Sequence, residues 1–300
     1  FRSGPLAVPM GFTPASSLVV EAGDVSPESP VSGDFDGDCV LVPVLTPTES
    51  AVTGQLQVAR ALLQASDAPL YVVDPTETTP TAYGPGLPDD LERELVDRTE
   101  RIVPRAGPPG LLRTRALLNG ILTTIRANDA GTLVVPSGAE TGFLRQSLTE
   151  QLALRADCDV VTVTGHRADD ARSILLPVTG GPHSTAAADV AGDIAADTNA
   201  WIDVLHVVPS DATERRRDRA DTHIQAARDR IDRPERTTAW VLEAPDAAAA
   251  IVEQSEYYGL TVLGAPTKSR LRELIAGSTS RTVRTRARSP VVSVRCDGSD

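Results

Sequence analysis

The sequence is poor in cysteine, aromatic residues and long apolar runs. Its three cysteines, Cys39, Cys158 and Cys296, are too few and too widely spaced for a zinc motif or a disulfide framework. No stretch approaches the ~18 consecutive apolar residues of a membrane-spanning helix, and no signal peptide is visible. With only 3% aromatic residues, the core must consist of Val, Leu, Ile and Ala, as in parallel sheets covered by Ala-rich helices. These absences predict a cytoplasmic α/β protein.

Lysine is nearly absent too, and acidic residues outnumber basic ones. Lys268 is the only lysine, and the net charge is −12. An acidic surface repels phosphate backbones, so nucleic acid is not an expected partner. An acid-rich, lysine-poor composition resembles halophilic proteins. A GC-rich coding bias combined with an acidic surface is the alternative.

Residues 1–36 have the composition of a linker or arm. Proline recurs among Gly, Ser and Asp, and two short apolar patches, Leu6–Val8 and Leu18–Val20, could lie against a folded surface. The chain begins at Phe1 rather than Met, so we interpret it as a processed product or as part of a longer protein.

The remainder contains an internal duplication of about 130 residues. Four strand-like segments recur in the same order, and the first carries a proline at the same place in both copies, Pro43 and Pro177. The matching pairs are DCVLVPVLTP at 38–47 with RSILLPVTGGP at 172–182, LYVVDP at 70–75 with VLHVVP at 204–209, TLVVP at 132–136 with LTVLG at 260–264, and VVTV at 160–163 with VVSV at 291–294. We therefore predict one domain over 37–165 and a second over 172–296.

Each copy alternates strands with helices, which predicts a doubly wound parallel sheet of five strands. The strands lack polar alternation and should be buried on both faces. Predicted strands are 39–45, 70–73, 101–103, 133–135 and 160–163, then 173–179, 202–208, 237–242, 260–263 and 291–294. Predicted helices include 89–98, 183–197, 213–231 and 246–257, the last with Asp246 as its N-cap.

These segments resemble the universal stress protein (UspA) family. Its nucleotide-binding members have G-x-x-G, nine residues, then G-[ST]. Gly264, Thr267 and Gly277-Ser278 reproduce that spacing here, with two and then nine residues between them. The resemblance covers residues 172–295 and, more weakly through the duplication, 38–164. It implies two UspA-like domains of the adenine-nucleotide alpha-hydrolase-like type. It also implies an internal pseudo-dimer in which the last strands of the two domains pair edge to edge.

The resemblance places a candidate adenine-nucleotide site in the second domain. Glycine beside a strand end allows close approach of a phosphate or ribose, and Ser278 and Thr279 at a helix start could supply a hydroxyl and amides. Two features depart from the binding pattern. Thr267 replaces a glycine, and Thr179, followed by Gly180-Gly181, replaces the family's acidic residue at the end of the first strand. ATP or AMP is the expected ligand. The alternative is that the glycines serve only a turn and helix packing.

In the first domain the pattern is further eroded. Pro136 replaces the first glycine and has no amide hydrogen to offer, and Gln146 stands where Gly277 stands, although Ser147 is retained. We predict a degenerate site there.

Other candidate residues have structural interpretations. We expect His206 to be a satisfied core histidine and Cys158 a small apolar filler. We expect His183 at the surface, with ligand contact as the alternative. The basic run Arg281, Arg284, Arg286 and Arg288 lies near the carboxyl end of a helix, where cations are favoured without any ligand. Spacing indicates no metal site and no catalytic set.

Two functions follow as hypotheses. The first is a non-enzymatic stress-response or regulatory protein with residual adenine-nucleotide binding in its second domain. The second is the cytosolic C-terminal regulatory domain of a membrane transporter, such as a cation-chloride cotransporter or an amino-acid permease. The resemblance implies that tandem domains of this kind occur in both. A homodimer is a further expectation.

Overall fold

A computed structural model describes residues 19–21, 39–45, 48–64, 68–75, 89–104, 110–114, 117–137, 147–165, 171–265 and 279–297. The strands are β1 Val19–Glu21, β2 Cys39–Pro43, β3 Leu70–Pro75, β4 Gly110–Thr114, β5 Ala130–Pro136, β6 Asp159–Thr164, β7 Ser173–Pro177, β8 Trp201–Val208, β9 Thr237–Glu243, β10 Leu260–Gly264 and β11 Val291–Arg295. The helices are α1 Glu49–Gln64, α2 Asp89–Ile102, α3 Leu117–Ala127, α4 Leu148–Arg155, α5 Pro182–Thr198, α6 Glu214–Arg228, α7 Ala247–Gln254 and α8 Thr279–Arg286. None of the helices in these ranges is long and apolar enough to cross a membrane.

The strands form one eleven-stranded sheet that is mixed α/β and mostly parallel, as the fold prediction requires. Their order is β1-β4-β3-β2-β5-β6-β11-β10-β7-β8-β9. Each half therefore has its third, second, first, fourth and fifth strands side by side. We use "first half" for residues 37–165 and "second half" for residues 172–296.

The two halves join through an antiparallel pair of strands, β6 and β11. Thr162 lies opposite Ser293, and Val163 lies opposite Val292. The prediction that the last strands pair edge to edge is confirmed. Because each strand supplies the other's missing partner, neither half has an exposed edge here.

Helices cover both faces of the sheet. On one face, α1, α2, α5 and α6 bury a single apolar core that continues through both halves. On the other face, α3 and α4 bury one core and α7 and α8 bury another. The prediction that the strands are buried on both faces holds at the centre of the sheet, where every residue of β2 and β11 is buried. It is wrong for the outer strand β9, in which only Thr237 is buried.

Local signals in the sequence mark several helix ends. Pro182 opens α5, where its missing N–H has no intrahelical partner to lose. Asn199 ends the same helix in the left-handed conformation at φ 57°. The predicted cap of α7 is confirmed, since Asp246 Oδ1 accepts from the backbone N–H groups of Ala248 at 2.8 Å and Ala249 at 3.1 Å.

One predicted strand is wrong. Residues 101–103 end α2 rather than forming a strand, and the third strand of the first half is β4. The apolar Ile102-Val103 pair belongs to a helical pattern, because Leu95, Thr99 and Val103 recur every four residues and are all buried. An apolar pair is too short to distinguish the helical period from the strand period.

The amino-terminal arm contributes to the sheet. Val19–Glu21 forms β1 and pairs in parallel with β4 at the outer edge of the first half. This strand overlaps the predicted apolar patch Leu18–Val20, while the patch Leu6–Val8 lies outside the described residues. The domain boundaries given above stay a prediction.

Candidate functional site

The candidate site lies where the strand order of the second half reverses, between β7 and β10. Helix α5 leaves β7 toward one face, and α8, which follows β10, packs on the other. The register of these strands ends at Thr261 opposite Leu175, although both strands continue to Gly264 and Pro177. The strands thus separate before their carboxyl ends, which is where open α/β sheets bind ligands.

The loop after β7 forms one wall of this crevice. Thr179 is exposed, and its N–H donates to Ser184 Oγ at 3.2 Å. Gly180 and Gly181 have φ values of 81° and 82°, which residues with a Cβ adopt only with strain. A Cβ on Gly181 would meet no heavy atom within 4 Å. Backbone geometry thus requires glycine at both positions, and the loop has open space beside Gly181.

The close neighbour of Gly264 is the backbone of α5, whereas its motif suggests a nucleotide. A Cβ here would lie 2.8 Å from the carbonyl carbon of His183 and 3.0 Å from the N of Ser184. The glycine therefore lets the first turn of α5 pack directly on the end of β10. Its carbonyl oxygen accepts from Ser280 Oγ at 3.1 Å, which ties α8 to the same strand end.

The structure brings part of the predicted set together. Thr179 and Gly264 follow adjacent strands at one edge of the sheet, and Thr279 is the first residue of α8. Thr267, Gly277 and Ser278 lie outside the described residues. The ligand-binding role of all six residues stays a prediction.

The expectation that His183 lies at the surface is wrong. Only 7% of the residue is exposed, and its Nδ1 accepts from the backbone N–H of Cys296 at 3.2 Å. Because helix α5 begins beneath the end of β11, His183 is buried although it follows two glycines and a proline. His183 joins the first turn of α5 to the chain that leaves the last strand.

A pair of histidines beneath the glycine loop was not predicted. The rings of His206 on β8 and His223 on α6 meet edge to face, 5.4 Å apart. Both Nδ1 atoms are buried without a hydrogen-bond partner among the described residues. The expectation of a fully satisfied His206 is therefore not met. Burial, with a smaller contribution from His223, lowers the pKa of His206. No spacing pattern in the sequence predicts that a histidine on a strand contacts a histidine on the following helix.

Cys158 behaves as predicted. It is 3% exposed and belongs to the core of the first half. Burial raises the pKa of its thiol to about 12, so it carries no reactive thiolate.

The equivalent crevice in the first half is closed by a side chain. Gln55 on α1 is fully buried, and its Nε2 donates to the carbonyl oxygens of Pro43 at 3.1 Å and Val134 at 2.9 Å. It thus bridges the ends of β2 and β5, the counterparts of β7 and β10. Ser147 Oγ accepts from the N–H of Glu150 as the N-cap of α4. Gln146 lies outside the described residues.

Comparison with known proteins agrees with this geometry. The model of the Universal stress protein family matches residues 171–295. No curated protein matches the chain significantly. Two solved structures are similar over most of its length. A universal stress protein from Archaeoglobus fulgidus DSM 4304 is 15% identical, with a TM-score of 0.52 over 89% of this chain and 99% of that one. A functionally unknown protein from Pseudomonas aeruginosa PAO1 is 16% identical, with a TM-score of 0.55 over 88% and 94%.

Residues 171–295 therefore carry a universal stress protein domain. At this identity the solved structures establish the fold alone, and that fold extends across both halves.

Proposed function

We propose that this chain is a non-enzymatic stress-response or regulatory protein in which the second half binds an adenine nucleotide. The observation that carries the proposal is the open loop of Thr179, Gly180 and Gly181 at the point where the strand order reverses. It belongs to the half that matches the universal stress protein family. The ligand is ATP or AMP, held between this loop and the start of α8.

The residues on each side of the crevice suit a weak site. Thr179 presents a neutral hydroxyl where the family's binders carry a carboxylate. The tight contact of Gly264 with His183 leaves phosphate recognition to residues that follow Ala265 in the sequence, Thr279 among them. Affinity should therefore be low.

In this proposal the first half has a structural role and binds no nucleotide. Gln55 occupies the place where strands β2 and β5 separate, and Pro136 offers no amide at the end of β5. One nucleotide per chain is expected.

The test is calorimetric titration of ATP and AMP into the full chain and into Thr179→Asp. A charged acceptor makes a hydrogen bond roughly twice as strong as a neutral one, so the substitution should tighten binding about tenfold. Thr285→Asp, which adds the same charge at an exposed position on α8, is the control and should leave affinity unchanged. The absence of heat at millimolar nucleotide for both the wild type and Thr179→Asp would refute the proposal.

The transporter alternative rests on the closed crevice of the first half. A regulatory domain that acts through contacts with an attached transporter needs no nucleotide there. The reading frame upstream of Phe1 decides this alternative: it should encode a series of membrane-spanning helices, and a start codon immediately before Phe1 would contradict it.

A further inference from the structure

The junction between the halves is apolar on one face of the sheet and polar on the other. On the first face a single core crosses from β6 to β11. On the opposite face the two cores are separate, and polar side chains lie between them. We call this region the polar seam; it consists of Thr149, Glu150, Thr162, Arg284, Ser293 and Arg295. Thr162 and Ser293, opposite each other in the ladder, mark its centre.

Arg295 is the most deeply buried charge of the seam. It is 1% exposed, and its Nη2 donates to the carbonyl oxygens of Ala156 and Cys158, both at 2.9 Å. These bonds hold a guanidinium of the second half against the first half. Its Nε is buried and has no acceptor among the described residues.

Arg284 on α8 brings a second positive charge to the same place. Its Nε is also buried with no acceptor in the described part of the chain. Burial is the main effect on this guanidinium and lowers its pKa, while Glu150 acts in the opposite direction. Arg284 lies in the last turn of α8, the carboxyl end of a helix that the sequence predicts for it.

Both arginines line one small cavity in the seam. Its volume is about 20 Å³, and Thr162 and Ser293 line it as well. A cavity of this size has room for one water molecule or one monatomic ion, so phosphate and nucleotides are too large. The described lining residues include two guanidinium groups and one carboxylate, Glu150, whose Oε2 already accepts from the N–H of Ser147. Outside the cavity, Arg295 Nη1 lies 3.9 Å from Asp297 Oδ1. The two buried Nε–H groups that have no acceptor among the described residues favour a particle that only accepts hydrogen bonds, an anion, over a neutral water.

We propose that the polar seam binds a single monatomic anion, a halide such as chloride, between Arg284 and Arg295. The anion accepts from the guanidinium groups and from the hydroxyls of Thr162 and Ser293. It supplies the acceptor that the two buried Nε–H groups lack where the two halves meet and so stabilises their junction.

Bromide is the probe, because it scatters anomalously and stands in for chloride. Crystals of the full chain grown in sodium bromide should show an anomalous peak inside the seam cavity. The same peak should be absent from crystals of Arg284→Met. A cavity that contains only water in the wild-type bromide crystals overturns the proposal.

Thermal unfolding provides the second measurement. At equal ionic strength, sodium bromide should raise the Tm of the wild type above its value in sodium gluconate, and Arg284→Met should lose that difference. Arg286→Met removes an exposed charge from the same helix outside the cavity, so it should keep the difference. Equal bromide effects on all three proteins would contradict the site. If Arg284→Met does not fold, the wild-type bromide crystals decide the matter.

Discussion

At the scale of single residues, the glycines near the candidate site have distinct physical roles. Gly180 and Gly181 are required by their positive φ values, whereas Gly264 is required by the backbone of α5 that lies against it. A glycine motif read from sequence does not separate these roles, because conformational freedom and close approach both need the absence of a Cβ.

Substitution of Gly264 tests the packing role. Gly264→Ala places a methyl group 2.8 Å from the His183 carbonyl carbon, and such overpacking should lower the free energy of unfolding by about 1–3 kcal/mol. Gly192→Ala is the control: nothing lies within 4 Å of its added Cβ in α5, and alanine in a helix should raise stability by up to about 1 kcal/mol. Urea denaturation measures both, and an unchanged midpoint for Gly264→Ala would count against the close approach.

Asp193 on α5 should make stability depend on pH. Burial, with the like charges of Asp189 and Asp232, raises the pKa of its carboxyl from 3.8 to about 6. The folded state therefore retains a proton that the unfolded chain has released, so the free energy of unfolding falls as pH rises from about 4 to about 6.

Removal of this carboxyl gives the measurement. Asp193→Asn should raise the free energy of unfolding at pH 7 by about 1–2 kcal/mol and change it little at pH 3.5. The exposed Asp218 on α6 supplies the control, since Asp218→Asn should shift stability equally little at both values. Parallel pH profiles for wild type and Asp193→Asn would show that burial does not keep this carboxyl protonated.

At the scale of elements, the two halves repeat the same contacts at equivalent places. Thr149 Oγ1 donates to the carbonyl oxygen of Pro136 at 2.8 Å, as Ser280 Oγ does to Gly264 at 3.1 Å. Each hydroxyl belongs to the second residue of its helix, and its hydrogen bond holds that helix to the end of the preceding strand. The helix-to-strand connection is thus kept even where the candidate site differs.

The N-cap of α7 is a prediction at this scale. Asp246→Ala leaves the N–H groups of Ala248 and Ala249 without their carboxylate and should cost about 1 kcal/mol. Asp246→Asn keeps a capping oxygen and should stay within about 0.5 kcal/mol of wild type. Equal losses for the two variants in thermal or urea unfolding would mean that charge, not capping geometry, stabilises this end.

At the scale of the whole molecule, helix contacts join the two halves in addition to the β6–β11 strand pair. Helices α1 and α5 pack on the continuous core, and Arg60 Nη2 on α1 contacts Asp197 Oδ2 on α5 at 2.7 Å. The Asp197 side chain is 5% exposed, so the carboxylate of this ion pair is buried between the helices.

Asp197→Ala should weaken the junction. A hydrogen-bonded charge of this kind contributes about 1–3 kcal/mol, and Arg60 would lose its carboxylate. Asp157→Ala breaks an exposed ion pair with Arg126 inside the first half and should change stability by no more than about 0.5 kcal/mol. Similar losses for the two variants in equilibrium unfolding would argue against a special role for the α1–α5 contact.

The sequence by itself determined the alternation of buried strands and helices and indicated the duplication, whereas the pairing of β6 with β11 was implied by the resemblance to a known family. The alternation follows from apolar periodicity, a local property, and the duplication follows from repetition along the chain. The sequence did not predict β4, because the apolar pair Ile102-Val103 at the end of α2 fits a strand as well as a helix.

Only the tertiary structure decided what the candidate residues touch. His183 is covered by a contact with Cys296, 113 residues away, and Arg295 reaches carbonyls 137 and 139 residues away. Gln55 closes the crevice of the first half from a helix that carries no motif. Burial, unpartnered donors and cavities arise from contacts between segments distant in the chain, so no local pattern encodes them.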